Sequence, residues 1–532
     1  MQNNTDLNFI DRQKCFKSLE EQEFDVLVIG AGITGCGIAR DAAMRGLKTA
    51  LVEAKDIASG TSSRSSKLIH GGLRYLLQGQ LAIVRETANE RRILRKIAPH
   101  LSLTNPMVIL GKNKSAIKTY RTALWTYEKL GKVEKQEQHK VWQVPELQSR
   151  EPAVNSVGLK GAVVYPEYLT DDSRLTLANA RSAAAHGAGI VTRAEAREII
   201  LEKNRAAGAI VQGTLAGEER SAEVRARLVI NAAGPWVDAI RRLEDGKSSD
   251  RLQLTKGIHL VIPHKRLPLN NTVVWNAPDK RPLFAVPRGQ FAYIGTTDTF
   301  YPQPDYLQTI TSDEVDYLLG SANSVFSGEP LAAKDVESVW SGLRPLLSTK
   351  GKKPSEVSRR DEVMIGPCGT LSIAGGKLTS FRTMATRMVD LCEQLLGRKK
   401  PRSAGTENEP LPGGTLNLSV EAVKSKVNAM GISVEESARV AMLYGDEALN
   451  IFSNGCGPAV EAAYAVNHEG ALMLEDYWER RSSRATFDVG GGMASLEPAA
   501  TAMSELLGWS DRERERQIEL CRTQRQKTMQ LL

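Results

Sequence analysis

Phe24-Asp25-Val26-Leu27-Val28-Ile29-Gly30-Ala31-Gly32-Ile33-Thr34-Gly35 decides the fold. An apolar run ends in a glycine triplet, Gly30-x-Gly32-x-x-Gly35. A run of this kind reads as a buried strand of a parallel sheet. The glycines turn that strand into a helix. Gly30 permits the tight turn, and Gly32 lets the backbone approach a pyrophosphate lying on the helix N-terminus. Gly35 lets helix and strand pack closely. The pattern predicts a helix over 33–45 and a second strand over 48–53, which completes a βαβ unit. Glu53 closes that second strand, placed to accept hydrogen bonds from a ribose diol. A carboxylate there repels a 2′-phosphate and argues against an NADP-type ligand.

The next segment narrows the ligand. Ser59-Gly60-Thr61-Ser62-Ser63-Arg64-Ser65-Ser66-Lys67 is dense in hydroxyls and small side chains. Thr61, Ser62, Ser65 and Ser66 can supply donors along a diphosphate and a ribityl chain, which favours FAD over NAD. Leu68-Ile69-His70-Gly71-Gly72-Leu73-Arg74-Tyr75 follows directly. Few dinucleotide fingerprints are followed by such a string.

Farther along, helices are expected over 80–98, 175–186 and 378–396. A β-meander with a closing strand at 228–231 is expected between 189 and 230, and 252–295 is strand-rich. Residues 399–414 carry three prolines among several glycines and read as a linker. The stretch 415–532 is rich in Ala, Glu, Leu and Arg and reads as helical. Ser510 and Glu513 form a capping box for its last helix.

The bulk properties set limits. The chain has 532 residues, 41% hydrophobic, 25% charged, with 44 glycines. That suits a soluble α/β protein of two to four domains. The net charge of +8 suits an anionic ligand, or docking on an anionic membrane. No apolar run approaches the roughly 18 residues of a spanning helix. The N-terminus is charged and lacks a signal peptide's apolar core. The six cysteines form no CxxC pair, so neither zinc nor a disulfide framework is indicated, and no metal is expected. A reducing cytoplasm fits. Residues 112–140 hold eight Lys/Arg and three Glu. There Ile117, Tyr120, Leu124 and Tyr127 make a helical apolar stripe beside Trp125. It is either a lipid-facing stripe or the inner face of a helix with a basic back.

The motifs as a set resemble the FAD-dependent glycerol-3-phosphate dehydrogenases of the D-amino-acid-oxidase-like superfamily. The matching strings are 65–75, Thr170-Asp171-Asp172-Ser173-Arg174-Leu175 and Asn231-Ala232-Ala233-Gly234-Pro235-Trp236. Lys256-Gly257-Ile258-His259, Gly295-Thr296-Thr297-Asp298, Ser341-Gly342-Leu343-Arg344-Pro345-Leu346 and Gly375-Gly376-Lys377-Leu378-Thr379-Ser380-Phe381-Arg382 follow in family order. Tyr464-Ala465-Val466-Asn467-His468-Glu469 is similar to the family's C-terminal domain. Phe381 departs from the pattern, where Tyr is expected, and the extension before Phe24 is long.

The resemblance implies a discontinuous doubly wound FAD-binding domain (22–100, 155–255 and 340–398). It implies a mixed-sheet substrate domain (101–154 and 256–339), the linker at 399–414 and a helical C-terminal domain (415–532). It implies oxidation of sn-glycerol 3-phosphate to dihydroxyacetone phosphate, with electrons passed to a membrane quinone. The enzyme would sit on the inner face of the cytoplasmic membrane, bound to its anionic surface. A homodimer is compatible, and no nucleic acid is expected.

A phosphate dianion calls for a guanidinium fork and point charges. Arg74 and Arg344 are the forks and Lys377 a third cation, with Tyr75 and Thr379 adding hydroxyls. Oxidation at C2 needs a base or a stabilised alkoxide. His259 is favoured as base, His70 as a flavin-side residue, and Arg344 and Lys377 as alternative alkoxide stabilisers. The expected cofactor contacts are Gly30, Gly32, Gly35, Glu53, Thr61, Ser62, Ser65, Ser66, His70, Gly72, Ala233, Gly234, Gly376, Lys377, Leu378 and Thr379. The segment from Gly375 is expected to start a helix whose positive end offsets charge near N1 of reduced flavin. The rivals are an oxygen-using glycerol-3-phosphate oxidase, an amine or amino-acid oxidase, and a non-catalytic flavin-bound RNA-binding or regulatory protein.

Overall fold

The computed structural model describes residues 5–71, 81–131, 133–348, 361–415, 417–453 and 455–530. Phe24–Ile29 is a strand, and its alternate residues serve two cores. Val26 and Val28 face Ile38, Ala39 and Ala42 of the helix Ile33–Met44. Leu27 and Ile29 face the other way, toward the core of Phe16 and Leu19, which Phe24 joins from the strand's start. Burial on both faces explains the unbroken apolar run, each such side chain contributing about 1.5–3 kcal/mol.

The strand sits in an eight-stranded sheet. Its main path runs Glu362–Ile365, Leu371–Ala374, Ser221–Asn231, Phe24–Ile29, Thr49–Val52, Gly189–Val191. Pairing is parallel from Leu371–Ala374 onward. The hairpin Ala194–Glu202/Arg205–Gly213 hangs antiparallel from Ser221–Asn231, as the expected meander. Strand order reverses at Phe24–Ile29. A doubly wound sheet opens its ligand crevice at such a point, beyond the strands' carboxyl ends.

A second, ten-stranded sheet is mostly antiparallel. Its long members are Leu103–Gly111, Gly161–Leu169, Leu252–Pro263 and Ser338–Leu347. Two of these fall in segments expected for the FAD domain. Gly161–Leu169 instead pairs with Leu103–Gly111, and Ser338–Leu347 with Leu252–Pro263. Their apolar patterns allow either sheet, and only the partner strand decides.

The C-terminal part is helical, with helices Val420–Ala429, Val434–Tyr444, Pro458–Glu469, Leu496–Leu507 and Asp511–Met529. Ser510 Oγ caps the last by accepting the Glu513 N–H at 3.2 Å. Residues 399–414 form neither helix nor strand, yet they are a strap rather than a tether. Arg40 donates to the carbonyls of Thr406 and Glu409, and Leu411 is fully buried. The long N-terminal extension is also tied down. Arg12 donates to the carbonyls of Thr192 and Arg193, both at 2.9 Å.

Two helix starts differ from expectation. Asp172–Ala185 begins three residues early because the Asp171 carboxylate caps it, accepting from Arg174 N–H. Leu378–Ser380 is a 3₁₀ turn, and the α-helix runs Phe381–Leu395. Gly375 and Gly376 hold φ of +79° and +83°, and Lys377 is extended, so no helical turn can form there. The helix's positive end therefore lies at 378–381 rather than at Gly375.

Candidate active site

A cavity of roughly 460 Å³ opens at the strand-order reversal. Gly30, Gly32, Glu53, Thr61, Ser62, Ala233, Gly234, Gly376, Lys377 and Leu378 line it. The glycine cradle is tight. A Cβ on Gly30 would lie 2.8 Å from the Ala232 carbonyl oxygen, and Gly30 already holds φ +107°. Gly35 lies beneath the cradle, where a Cβ would stand 1.9 Å from the Gly30 oxygen. A side chain at either place would push the strand, the turn and the helix apart and so open the cradle that a pyrophosphate needs. Gly32 caps the helix without a side-chain acceptor, which leaves that helix end facing the cavity. The donor set fits a dinucleotide: N–H groups in the middle and a carboxylate at one end.

That carboxylate is Glu53. It accepts the Ala31 and Lys55 N–H groups, both at 2.8 Å. Burial pushes its carboxyl up, and the two N–H donors hold it back. Oε1 also accepts from Ser59 Oγ at 3.4 Å, and Oε2 keeps a lone pair for a ribose hydroxyl.

The hydroxyl-rich segment is more committed than expected. Thr61 donates its one hydroxyl proton to the Leu343 carbonyl at 2.7 Å, so in this arrangement it can only accept from a ligand. Ser62 Oγ accepts the Ile33 N–H at 2.9 Å and keeps its own proton to give. Ser65 and Ser66 do not line the cavity. Ser65 N–H donates to Asp172 at 2.9 Å, and Ser66 Oγ lies 2.9 Å from His259 Nε2. Thr379 Oγ1 donates to the His70 carbonyl at 3.3 Å. Gly72, Arg74 and Tyr75 lie outside the described residues.

The second sheet delivers His259 and Arg344 on adjacent strands, in register with Trp340 and Thr255 respectively. Pro345, next to Arg344, lines the cavity. His259 is 3% exposed and stacks on Trp340 with ring centroids 4.5 Å apart. Burial holds its imidazolium form far below the ordinary range, and the charges of Arg344 and Lys67 add to this. Among the described residues its Nδ1 makes no hydrogen bond. Arg344 crosses Gly257, where a Cβ would lie 2.3 Å from Nη2. Its Nη1 meets Asp298 at 3.1 Å and its Nη2 meets Thr296 Oγ1 at 3.0 Å. The guanidinium plane is thus fixed before any ligand arrives.

Sequence reasoning missed a second layer. Lys67 meets Asp172 at 2.5 Å, Arg288 meets Asp171 at 2.6 Å, and Arg174 meets Glu469 at 2.7 Å. The 170–175 string is therefore a buried hub that fixes the 63–67 segment and the C-terminal domain. Arg480 and Arg481 both hold Asp56, at 2.6 Å, beside the Glu53 turn. Density of charged residues within an apolar motif was the available signal. Trp236 and Tyr306 also line the cavity. Trp236 lay in a quoted motif, whereas nothing marked Tyr306.

Comparison with known proteins agrees with this architecture. Residues 25–382 match the family described as FAD dependent oxidoreductase. Residues 404–514 match the C-terminal domain of alpha-glycerophosphate oxidase. The aerobic glycerol-3-phosphate dehydrogenase of Staphylococcus haemolyticus is 37% identical over 95% of this chain and 94% of its own. That of Bacillus subtilis is 35% identical over 97% of each. A crystal structure of the glycerol-3-phosphate dehydrogenase from Bacillus halodurans, complexed with FAD, superposes with a TM-score of 0.81 at 31% identity. That superposition covers 99% of both chains.

Proposed function

The chain belongs to the aerobic glycerol-3-phosphate dehydrogenase family of FAD-dependent oxidoreductases, and from that membership we propose which residues do the work. The enzyme oxidises sn-glycerol 3-phosphate to dihydroxyacetone phosphate with FAD. When bound, FAD supplies the acceptor for the hydride that leaves C2. Gly30, Gly32 and the start of Ile33–Met44 hold its pyrophosphate, and Glu53 holds a ribose.

His259 takes the C2 hydroxyl proton. The supporting observation is its placement: it lies on the strand paired with that of Arg344, and its buried Nδ1 makes no hydrogen bond among the described residues. Which nitrogen accepts depends on the proton Ser66 shares with Nε2. Arg344 grips the phosphate with its planar fork, aided by Lys377, Thr379, Arg74 and Tyr75. Arg344 and Lys377 also offset negative charge as the hydroxyl loses its proton. His70 borders the cofactor.

The decisive test is anaerobic mixing of the yellow protein with sn-glycerol 3-phosphate. Fast bleaching of the flavin band near ~450 nm is expected, and none with glycerol or a D-amino acid. A folded, flavin-loaded protein that does not bleach would refute this reading. Reoxidation by a quinone faster than by oxygen is expected, and the reverse order would identify an oxidase.

We further propose that the electrons pass to a membrane quinone and that the helix Lys114–Gly131 lies on anionic lipid. None of the described helices is long and apolar enough to cross a membrane. Of the two readings of the apolar stripe on Lys114–Gly131, the inner face is the one observed. Leu124 and Tyr127 are buried, and Ile117 and Tyr120 pack on the core that holds Leu124. The outer face carries Lys114, Lys118, Arg121, Trp125 and Lys129, all exposed. Cations around an exposed indole suit an anionic interface. Binding to anionic but not neutral vesicles is expected, weakened by salt and lost in a Lys118→Glu/Arg121→Glu double variant.

A further inference from the structure

A loop of the larger sheet reaches across the Glu53 end of the cavity. It leaves the strand Thr299–Phe300 and ends at Thr311, which caps the helix Ser312–Asn323. Tyr306 lies in its middle and stacks on Trp236, with centroids 4.2 Å apart and 25° between planes. Lys55 Nζ sits 3.9 Å from the centre of the Tyr306 ring. All three residues line the cavity.

They come from three separate places. Lys55 follows the second strand of the smaller sheet, and Trp236 ends the turn after Ser221–Asn231. Only Tyr306 belongs to a loop of the larger sheet. Trp236 has a fixed seat: a Cβ on Gly60 would lie 3.1 Å from its Cζ3. The loop is anchored on both sides of Tyr306. Tyr301 N–H donates to the Leu254 carbonyl at 3.0 Å, and Ser341 donates to Gln308 at 3.0 Å. Lys55 ties the ring to the ribose end, because its N–H donates to Glu53 at 2.8 Å while its Nζ covers Tyr306.

Neither aromatic ring belongs to the buried hydrophobic cores. An aromatic pair outside the core, wedged between two domains and roofing a cavity, stabilises closure of that cavity. A cation over the ring strengthens it.

We propose that the Lys55–Tyr306–Trp236 stack is a latch over the Glu53 end of the cavity and sets the rate at which FAD leaves. The latch rests on the FAD assignment above. FAD beneath it departs only when Tyr306 lifts from Trp236, while the anchors at Tyr301 and Gln308 stay in place.

The test uses the holoenzyme diluted into flavin-free buffer, with release followed by the rise in flavin fluorescence. Tyr306→Ala should release FAD about tenfold faster than wild type, and Tyr306→Phe, which keeps the ring, within about twofold. Lys55→Met removes one face of the sandwich and should accelerate release about two- to fivefold. Circular dichroism confirms that each variant is folded. A folded Tyr306→Ala that releases FAD at the wild-type rate overturns the latch. Should Tyr306→Ala fail to fold, an unchanged rate in Lys55→Met overturns it equally. A wild-type protein that retains no FAD overturns the cofactor assignment, and the latch with it.

Discussion

His259 shows how one residue's chemistry follows from its surroundings. It is buried on Trp340, with the charges of Arg344 and Lys67 nearby, so protonation is disfavoured twice over. A base that stays neutral works at lower pH than a free histidine. We predict that kcat holds its neutral-pH value down through the ordinary histidine value of 6.5 and falls only below it. His259→Gln should lower kcat by about 10²–10⁴ with little change in KM and normal flavin content. Arg344 should behave differently. Arg344→Lys keeps the charge but loses the fork, so KM should rise by about tenfold, the scale of one charge-assisted hydrogen bond. Steady-state kinetics with a soluble acceptor separates the two patterns. Both residues are legible in the sequence as motif members. Their environment is not, because Trp340 meets His259 only through strand pairing, as Arg344 meets Thr255.

At the scale of elements, the strand–glycine–helix unit is tightly constrained. Gly35 has no room at all: an added methyl would overlap the Gly30 oxygen at 1.9 Å. The helix must then slide off the strand, and the cradle opens. Gly35→Ala should weaken flavin retention by about ten- to a hundredfold, the cost of overpacking a tight contact. The absorbance ratio of flavin to protein after gel filtration measures it. Unchanged flavin content would show that the cradle relaxes freely. Phe381 packs on the same helix at Gly37. Its ring lies 2.9 Å from where a Gly37 Cβ would be, and it is 1% exposed. The helix it begins was legible as a helix, but its start was not. The positive φ at Gly375 and Gly376 is a backbone choice that composition does not reveal.

At the scale of the whole molecule, acid should loosen the junction between the core and the C-terminal domain. His100 sits there, 2% exposed, against Gly413 and Gly445. Burial lowers its value to about 3, with the charges of Arg174 and Arg181 adding to the effect. The unfolded chain binds a proton near 6.5, whereas the folded chain resists until about 3. Protons therefore favour the unfolded state across that window, and stability falls as pH falls from 6.5 toward 3. His100→Gln should flatten the slope of Tm against pH between about 6.5 and 4 without abolishing folding. Asp56 acts at lower pH. Burial alone would raise its carboxyl, but Arg481 and Arg480 hold it well below the ordinary 3.8. The stability it contributes is present above 3.8 and is lost as pH falls further.

The sequence by itself determined the βαβ unit, the dinucleotide cradle with Glu53, the helical C-terminal part and the family. These are short-range patterns: apolar period, glycine spacing and cap residues act within a few positions of one another. Only the tertiary structure decided which sheet Gly161–Leu169 and Ser338–Leu347 join, and which face of Lys114–Gly131 is outside. It alone brought Tyr306 onto Trp236 and paired Lys67 with Asp172, Arg174 with Glu469 and Arg480 with Asp56. Those three ion pairs span 105, 295 and 424 residues of chain. A buried charge must find its counter-charge in space, and local pattern carries no record of a partner that only folding brings near.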